Sequence, residues 1–502
     1  MNGGRIYVSS SSFVIAECSG CVSCIDRHTL KSTKVPEDYE AFDSKVFVHI
    51  IGAYYEGDRC CIVISTGNSL CASYGSIYKV SKYEIVQVSV DPPSREFIKL
   101  LKVGLDQCDM YFSDEFDLSL SLQFRKQGRE FDDFKWNYEP IRKLKSLFTE
   151  IKEWVYVIGG FVKQVDNVVL ISRKSRFNPG IHYWNRGCDI NGDVAVFYET
   201  EEIILNGNSK YSFVTFRGST PAHWTQYPPV NPKNPFVFGK YEESKRRFNI
   251  HFDKMEKIYG KNIIVASLTN SYGREKVLTD IFKDLCFERG ITFRHTEFSK
   301  ILDKPELFHK EVLSYDNSIS WLEIENDKII REQDQFIRVN CASCMDRTNS
   351  FQYHLSELFA QRFLKDDKLI RGLMWTEQHN NLCYQYCHSK GLKNDIVLKG
   401  YQTKLGNIQD NITLLYRQIN DIFYEGYLND AYYVVNQTKQ INTIPKRENL
   451  LIRFWMFIIM IISFIILILK GEKEQAKKYI HNKGKYIICH PQLTDIRDAN
   501  EL

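Results

Sequence analysis

The first hundred residues alternate between apolar and polar side chains in short runs that are separated by turn-forming residues. Runs of period two that are rich in β-branched and aromatic residues are typical of β-strands. The clearest are SSFVIAE, KVFVHIIGAYY, RCCIVIS and SIYKVSKYEIVQVSV. We therefore predict a β-rich N-terminal subdomain over residues 1–110.

Between residues 111 and 440 the hydrophobic period changes repeatedly between two and 3.6 residues. NVVLISRKSR and KNIIVASL have the pattern of strands, whereas EESKRRFNIHFDKMEKIY and VLTDIFKDLCFERG have the pattern of amphipathic helices. Strands and helices that follow one another in this way are typical of α/β folds. The pattern predicts an α/β domain over residues 111–440.

A third pattern begins at Leu450, where the chain becomes apolar on every side up to Leu469, with Arg453 as the one charge. At about 1.5 Å per residue, a helix of this length measures roughly 30 Å, the thickness of a hydrocarbon core. A buried core helix is the alternative. We predict a C-terminal transmembrane helix over residues 450–469, followed by a Lys-rich tail over residues 470–502.

Composition narrows the class of protein. The net charge of +4 is the small difference between 66 basic and 62 acidic side chains, which argues against a dedicated nucleic-acid binder. The 14 cysteines follow an N-terminus without the basic and apolar regions of a signal peptide. We expect the main body to face a reducing compartment, where a thiol stays available for chemistry.

One heptapeptide pattern occurs twice, as CVSCIDR at residues 21–27 and as CASCMDR at residues 341–347. Both copies have the Cys-x5-Arg spacing with which cysteine-dependent phosphatases wrap main-chain amides around a phosphate. Such a loop needs a strand before it and a helix after it, because the helix N-terminus stabilises both thiolate and phosphate. The flanking residues therefore decide which copy is functional.

Only the second copy has those flanks. QFIRV at 335–339 alternates like a strand, and the residues after Arg347 have helical period. The apolar positions of that predicted helix are Phe351, Leu355, Leu358, Phe359 and Phe363. The first copy is followed by β-branched and polar residues and by Pro36, as in a strand that enters a turn. We predict that residues 341–347 are catalytic and that residues 21–27 are structural.

A zinc site is the alternative for these cysteines. Cys341 and Cys344 have the spacing of half a zinc site, and further sulfur or imidazole donors occur elsewhere. Those donors are Cys18, Cys21, Cys24, Cys383, Cys387 and His388. Because Cys18, Cys21 and Cys24 lie where the alternation of a strand is expected, we expect no metal site.

The segment from Arg338 to Asn349, RVNCASCMDRTN, resembles the signature of the Sac-domain phosphoinositide phosphatases. Further motifs follow the order of that family. They are YFSDEFDLSLSLQ (111–123), FKWN (134–137), LISRKSRFNPGIHYWNRGCDINGDVAVFYETE (170–201) and FVTFRGSTPAHWTQ (213–226). The resemblance covers roughly residues 5–440. With the apolar segment, it is greatest to the membrane-anchored branch, which acts on phosphatidylinositol monophosphates, chiefly the 4-phosphate.

The resemblance implies a nucleophile at Cys341 that forms a phosphocysteine, and a phosphate-holding guanidinium at Arg347. It implies that Thr348 hydrogen-bonds the sulfur. Asp346 either supplies a proton or orients water, or it simply orients the arginine. The loop residues between the nucleophile and the arginine would bind phosphate through their amides; they are Ala342, Ser343, Cys344 and Met345. The family implies no cofactor.

Four cations near the middle of the chain are candidates for contact with an anionic headgroup. They are Arg173, Lys174, Arg176 and Arg186. The alternative for such a run of charges is a solvated face.

The chain departs from the family pattern at Ser343, where an aspartate is usual, and at residues 375–380, where Trp-Thr-Glu-Gln-His-Asn replaces Trp-Ala-Asp-x-x-Asp. A lost general acid would slow the reaction by about 100-fold to 10,000-fold. A membrane-anchored protein that binds phosphoinositides without turnover is therefore the second hypothesis. Because binding needs the arginine but not the thiol, Cys341, Arg347 and Thr348 together favour the enzyme.

The resemblance also implies a protein of the endoplasmic reticulum or Golgi membrane. The anchored members of the family usually carry two spans, but the one apolar segment of this sequence predicts a single pass. Six lysines follow the apolar segment, against four basic residues just before and within it. By the positive-inside rule this excess favours a cytosolic tail. We nevertheless expect the phosphatase domain to face the cytosol, because a large domain with free thiols and no leader does not suit translocation.

Overall fold

The computed structural model describes residues 3–182, 185–226, 236–302, 304–365, 368–423 and 425–437. The predicted transmembrane helix at 450–469 and the predicted tail at 470–502 lie outside these residues. In the described part of the chain, no helix has both the length and the apolar character to cross a membrane.

The N-terminal run of strands begins with a small antiparallel sheet in the order β3-β2-β1-β4. Its strands are β1 Gly4–Val8, β2 Ser12–Glu17, β3 Val22–Asp26 and β4 Asp43–Phe47. Phe13, Val14 and Ile15 of β2 are all fully buried, so this strand is covered on both of its faces. Strand β3 holds most of the first heptapeptide and enters a turn at Arg27, which confirms the strand-and-turn prediction.

Thirteen strands of the described residues form a second, mixed sheet in the order β16-β15-β19-β12-β11-β10-β9-β8-β7-β6-β5. Outside this order, β17 pairs with β12, and β18 pairs with β17. The strands up to the middle of the sheet are β5 His49–Glu56, β6 Arg59–Ala72, β7 Ile77–Gln87, β8 Met110–Ser113, β9 Ile158–Val165, β10 Val168–Lys174 and β11 Tyr198–Asn206. The others are β12 Ser209–Arg217, β15 Ile263–Ser267, β16 Thr292–His295, β17 Leu322–Glu325, β18 Lys328–Arg331 and β19 Phe336–Asn340. A separate ribbon contains β13 Trp224–Gln226 and β14 Phe236–Phe238. This sheet crosses residue 110, where we placed the subdomain boundary.

The helices surround this sheet and include the predicted ones. They are α1 Arg95–Gln107, α2 Leu122–Lys126, α3 Tyr138–Leu147, α4 Tyr241–Tyr259, α5 Lys276–Arg289, α6 Phe298–Ile301, α7 Pro305–Leu313, α8 Asp346–Ala360, α9 Lys368–Cys387, α10 Asn394–Lys399, α11 Lys404–Phe423 and α12 Glu425–Asn436. Helices α4 and α5 confirm the two sequence patterns read as amphipathic. A 3₁₀ turn, Gly273–Glu275, precedes α5.

The middle of the sheet has a helical layer on each face. Strand β19 runs parallel to both β12 and β15. Its side chains alternate, so Phe336 packs in one cluster with Phe248 of α4 and Phe282 of α5. Ile337 packs in another cluster with Phe351 of α8. The strand and helix predicted around the second heptapeptide are therefore confirmed, and the loop lies at the carboxyl end of a parallel strand, where α/β folds bind ligands.

Candidate active site

Residues 341–345 connect the end of β19 to the start of α8. Cys341 is buried, and the main-chain N–H of Cys344 donates to its Sγ at 3.1 Å. Cys344 has a φ of 52°, a left-handed conformation that reverses the chain over the sulfur. The start of α8 follows immediately, so the helix dipole adds positive potential at the same place.

The surroundings of Cys341 favour a thiolate. Burial on its own would raise the pKa of the thiol, but hydrogen bonding from Cys344, the charge of Arg347 and the Thr348 hydroxyl together lower it to about 5. The neighbouring buried thiols behave in the opposite way, because burial raises the pKa of Cys344 and of Cys383 well above the ordinary value. Cys341 is thus equipped as a nucleophile at neutral pH.

Arg347 is held by a carboxylate that our sequence analysis missed. Its Nη1 and Nη2 donate to Glu275 at 2.9 and 2.6 Å, and Nη1 also donates to the Leu268 carbonyl at 2.9 Å. Burial would raise the pKa of Glu275, but Arg347 keeps it below the ordinary value, so the pair is charged. Glu275 lies 72 positions before Arg347, and no local pattern in the sequence indicates the pairing.

Asp346 directs its carboxylate to residues of α9, of α11 and of the segment between α9 and α10. Oδ2 accepts from Arg417 Nη1 at 2.9 Å, and Oδ1 accepts from the Leu392 N–H at 2.7 Å and lies 3.3 Å from His379 Nε2. Burial would raise the pKa of Asp346, but Arg417 and His379 hold it well below its usual range. An ionised carboxylate has no proton to donate, so this geometry favours anchoring over proton transfer.

One group of side chains lies close enough together to be considered as a metal site. Ligand atoms of Asp346, His379 and Cys383 lie within 4.8 Å of one another, and in the described part of the chain no other group of three such residues does. Arg417 already neutralises the carboxylate and would repel a cation beside it. The thiol of Cys344, a predicted zinc donor, instead donates to the carbonyl oxygens of Cys341 and Gly218. The contacts give no reason to place a metal here.

The structure brings one of the four predicted headgroup cations to the loop. Arg186 Nη1 donates to the Ala342 carbonyl at 3.1 Å, and Nη2 lies 3.4 Å from Ser343 Oγ. His182 Nε2 lies 3.1 Å from the same guanidinium nitrogen. Arg186 therefore borders Ser343, the loop position that differs from the family pattern.

The other three cations contact residues outside the loop; Arg173 and Lys174 lie on β10, and Arg176 follows that strand. Arg173 is fully buried and donates to Glu199 and Glu201 at 2.9 and 2.6 Å. Lys174 Nζ sits 3.6 Å from the centroid of the Tyr432 ring. Arg176 donates to the Asp132 carboxylate at 2.8 Å. The run is neither one cluster at the phosphate loop nor a solvated face, so both sequence interpretations are corrected for these three residues.

We predict that Glu275→Gln lowers the maximal rate by about 10-fold to 100-fold, because an arginine without its carboxylate loses its fixed orientation. Glu275 also raises the pKa of Cys341, so the substitution should move thiolate formation to lower pH. Steady-state kinetics and a thiolate titration measure the two effects.

The matched control is Glu243→Gln, which alters a bidentate pair with Arg246 on α4, remote in the chain from the loop. A fall in rate without a change in the thiolate pKa would mean that Glu275 acts only on the fold. An unchanged rate would rule out its positioning role.

Comparison with protein families identifies a known domain in this chain. Residues 48–299 match the SacI homology domain. The matched range includes Glu275 and Arg186 and ends before Cys341.

Curated relatives extend the similarity beyond that range. Phosphatidylinositol-3-phosphatase SAC1 of Saccharomyces cerevisiae is 27% identical over 443 residues, which cover 75% of this chain and 69% of the relative. SAC1-B of Danio rerio is 28% identical over 437 residues, with 76% and 73% covered. Phosphatidylinositide phosphatase SAC2 of Homo sapiens is 26% identical over 484 residues, with 80% and 42% covered. The chain belongs to the Sac-domain phosphoinositide phosphatase family.

Proposed function

We propose that this phosphoinositide phosphatase removes phosphate from phosphatidylinositol monophosphates, chiefly the 4-phosphate, through a phosphocysteine on Cys341. The observation that carries the mechanism is a buried thiol that accepts the Cys344 N–H beside an arginine fixed by Glu275, an arrangement that lowers the pKa of Cys341. The choice of the 4-phosphate depends on the resemblance to the membrane-anchored branch. Two similar proteins are named as 3-phosphatases, so the 3-phosphate is the direct competitor.

In the first step the Cys341 thiolate attacks phosphorus, the bond to the inositol oxygen breaks, and that oxygen leaves as an alcohol after taking a proton from solvent water. In the second step water attacks phosphorus, the S–P bond breaks, and inorganic phosphate leaves while the thiolate is restored. Arg347 and the loop amides hold the phosphate oxygens through both displacements. The Thr348 hydroxyl lowers the pKa of the thiol, and the same contact makes the sulfur a better leaving group.

Asp346 and Arg186 take different roles in this proposal. Asp346 is ionised and bound by Arg417, so it anchors the loop to α11 and does not protonate the leaving group. Arg186 reaches the loop at Ala342 and Ser343 and is the cation placed to meet the substrate phosphate. An aspartate at position 343 would place a carboxylate against Arg186, whereas Ser343 adds no charge there.

The test is phosphate release by the full chain in detergent from short-chain phosphatidylinositol 3-, 4- and 5-phosphates. We expect the 4-phosphate to give the highest kcat/KM. A preference for the 3-phosphate would leave the mechanism intact and overturn the substrate assignment. Release from none of the three, with binding to vesicles that contain them, would favour the binding protein over the enzyme.

A further inference from the structure

Helix α11 carries its apolar side chains on the outside of the molecule. We call Leu405, Ile408, Ile412, Leu415 and Tyr416 the outer stripe; each is at least 52% exposed in the described part of the chain. At 3.6 residues per turn, they occupy an arc of about 100° on one side of the helix. An arc of this width is what a helix normally buries.

The opposite side of α11 is polar and faces inward. Arg417 binds Asp346, Asn420 donates to the His388 carbonyl at 2.8 Å, and Asp421 lies 3.4 Å from His182. Asp410 accepts from the main-chain N–H of Lys393 at 3.0 Å. The helix is therefore inverted with respect to an ordinary surface helix, whose apolar side faces the core.

The polar residues beside the outer stripe indicate the kind of surface that covers it. The exposed polar positions of the helix are Lys404, Asn407, Gln409, Asn411 and Gln418, none of which is acidic. Both acids of α11, Asp410 and Asp421, belong to the inward face. An apolar stripe flanked by four neutral amides and one lysine suits an anionic membrane interface, where acidic residues would be repelled.

The contacts of the inward face connect this surface to the phosphate loop. Arg417 holds Asp346, the first residue of α8, and Asp346 is adjacent to Arg347. Asp421 reaches His182, which lies 3.5 Å from Ser343 Oγ. A helix is about 10–12 Å across, and interfacial helices sink about 5–10 Å into a bilayer. If the outer stripe of α11 lies in the bilayer interface, the phosphate loop stays near the level of the lipid headgroups.

We propose that α11 lies in the plane of the bilayer, with its outer stripe in the interface, and that this docking presents the phosphate loop to phosphoinositide headgroups. The inference rests on the proposed function, since a lipid substrate is what requires the approach. It assigns α11 as a contact with the membrane surface that is separate from the predicted span at 450–469.

The test compares two substrates for the full chain, because a span would hold every variant on vesicles and binding would not discriminate. Ile408→Ser/Ile412→Ser should lower release from long-chain phosphatidylinositol 4-phosphate in phosphatidylcholine vesicles by about tenfold or more. Release from the short-chain lipid in detergent should stay within about twofold, because neither side chain touches the loop. The control is Asn407→Ser/Asn411→Ser, on the same helix beside the stripe.

A depth measurement separates failure of docking from failure of the enzyme assignment. In vesicles, the fluorescence added by Ile412→Trp should be quenched by lipids brominated in their acyl chains several-fold more than that added by Asn407→Trp. If the protein is inactive on every substrate but the indole introduced by Ile412→Trp is quenched, the proposed function fails and docking stands. Equal quenching at both positions, or equal loss of vesicle activity in the control, would overturn docking.

Two alternatives to the membrane could cover the outer stripe, and each gives its own result. A second copy covering the outer stripe would double the mass of the wild-type protein in detergent, and Ile408→Ser/Ile412→Ser would abolish the doubling. If the apolar segment at 450–469 of the same chain covers the outer stripe, the indole introduced by Ile412→Trp should be protected from quenching by iodide in detergent without lipid. Either result would overturn membrane docking by α11.

Discussion

Cys341→Ser should reduce phosphate release to the assay background, whereas Cys21→Ser should leave it near the wild-type rate. Removal of a covalent nucleophile costs on the order of 10⁴-fold or more, because no other group takes over the displacement. Phosphate release from short-chain phosphatidylinositol 4-phosphate measures both variants. Near-normal turnover by Cys341→Ser, or loss of turnover in Cys21→Ser, would reverse the assignment of the two heptapeptides.

The two copies have the same residue pattern in different surroundings. Arg27 of the first copy donates to the main-chain carbonyls of Ser9, Val88 and Ser89, so it connects strands. The Sγ of Cys21 donates to the Glu150 carbonyl at 3.6 Å. Arg347 of the second copy instead keeps its charge beside a cysteine. Function therefore follows from the flanking strand and helix, which the heptapeptide pattern does not specify.

The pH dependence provides a second measurement for the same assignment. The difference in absorbance at 240 nm between the wild-type protein and Cys341→Ser should show a thiolate step with a midpoint near pH 5, because the pKa of Cys341 lies below its ordinary value. Turnover should fall as pH decreases through this value, since the protonated thiol is not a nucleophile. A step at pH 8 to 9 would show that the loop does not activate the thiol.

The strand, the loop and the start of α8 could be predicted because their signals are local. Period two at 335–339 and helical period after Arg347 are both readable within a few residues. Glu275 and Arg417 could not be found in this way, because tertiary packing brings them to the loop from other elements. Helix α11 shows a related limit: periodicity reveals an apolar stripe, but not that the stripe faces outward.

Arg173 shows why a run of cations was misread. Its neighbours in sequence are charged, but its neighbours in space are Glu199 and Glu201, on the adjacent strand β11. Those two glutamates are separated by one residue and so lie on the same face of their strand. Two acids on the same face of one strand were the available signal for a buried cation opposite them.

Arg173→Met should destabilise the protein by about 3–5 kcal/mol, because it leaves two buried carboxylates without their cation. Burial raises the pKa of Glu199 to about 7 even with Arg173 present, and the substitution should raise it further. Urea unfolding followed by tryptophan fluorescence measures the loss. Carboxyls with a raised pKa in the folded state lose stability as pH rises, so the loss should be larger at pH 8 than at pH 6.

The control for this prediction is Arg246→Met, which removes a half-exposed pair with Glu243 and should cost less than about 1 kcal/mol. Adding Glu199→Gln and Glu201→Gln to Arg173→Met should recover much of the lost stability, because neutral amides cost far less to bury than carboxylates. A headgroup role for Arg173 predicts the opposite: wild-type unfolding and weaker binding to phosphoinositide vesicles. The two outcomes exclude each other. An Arg173 side chain that is fully buried and held by Glu199 and Glu201 cannot also reach a lipid.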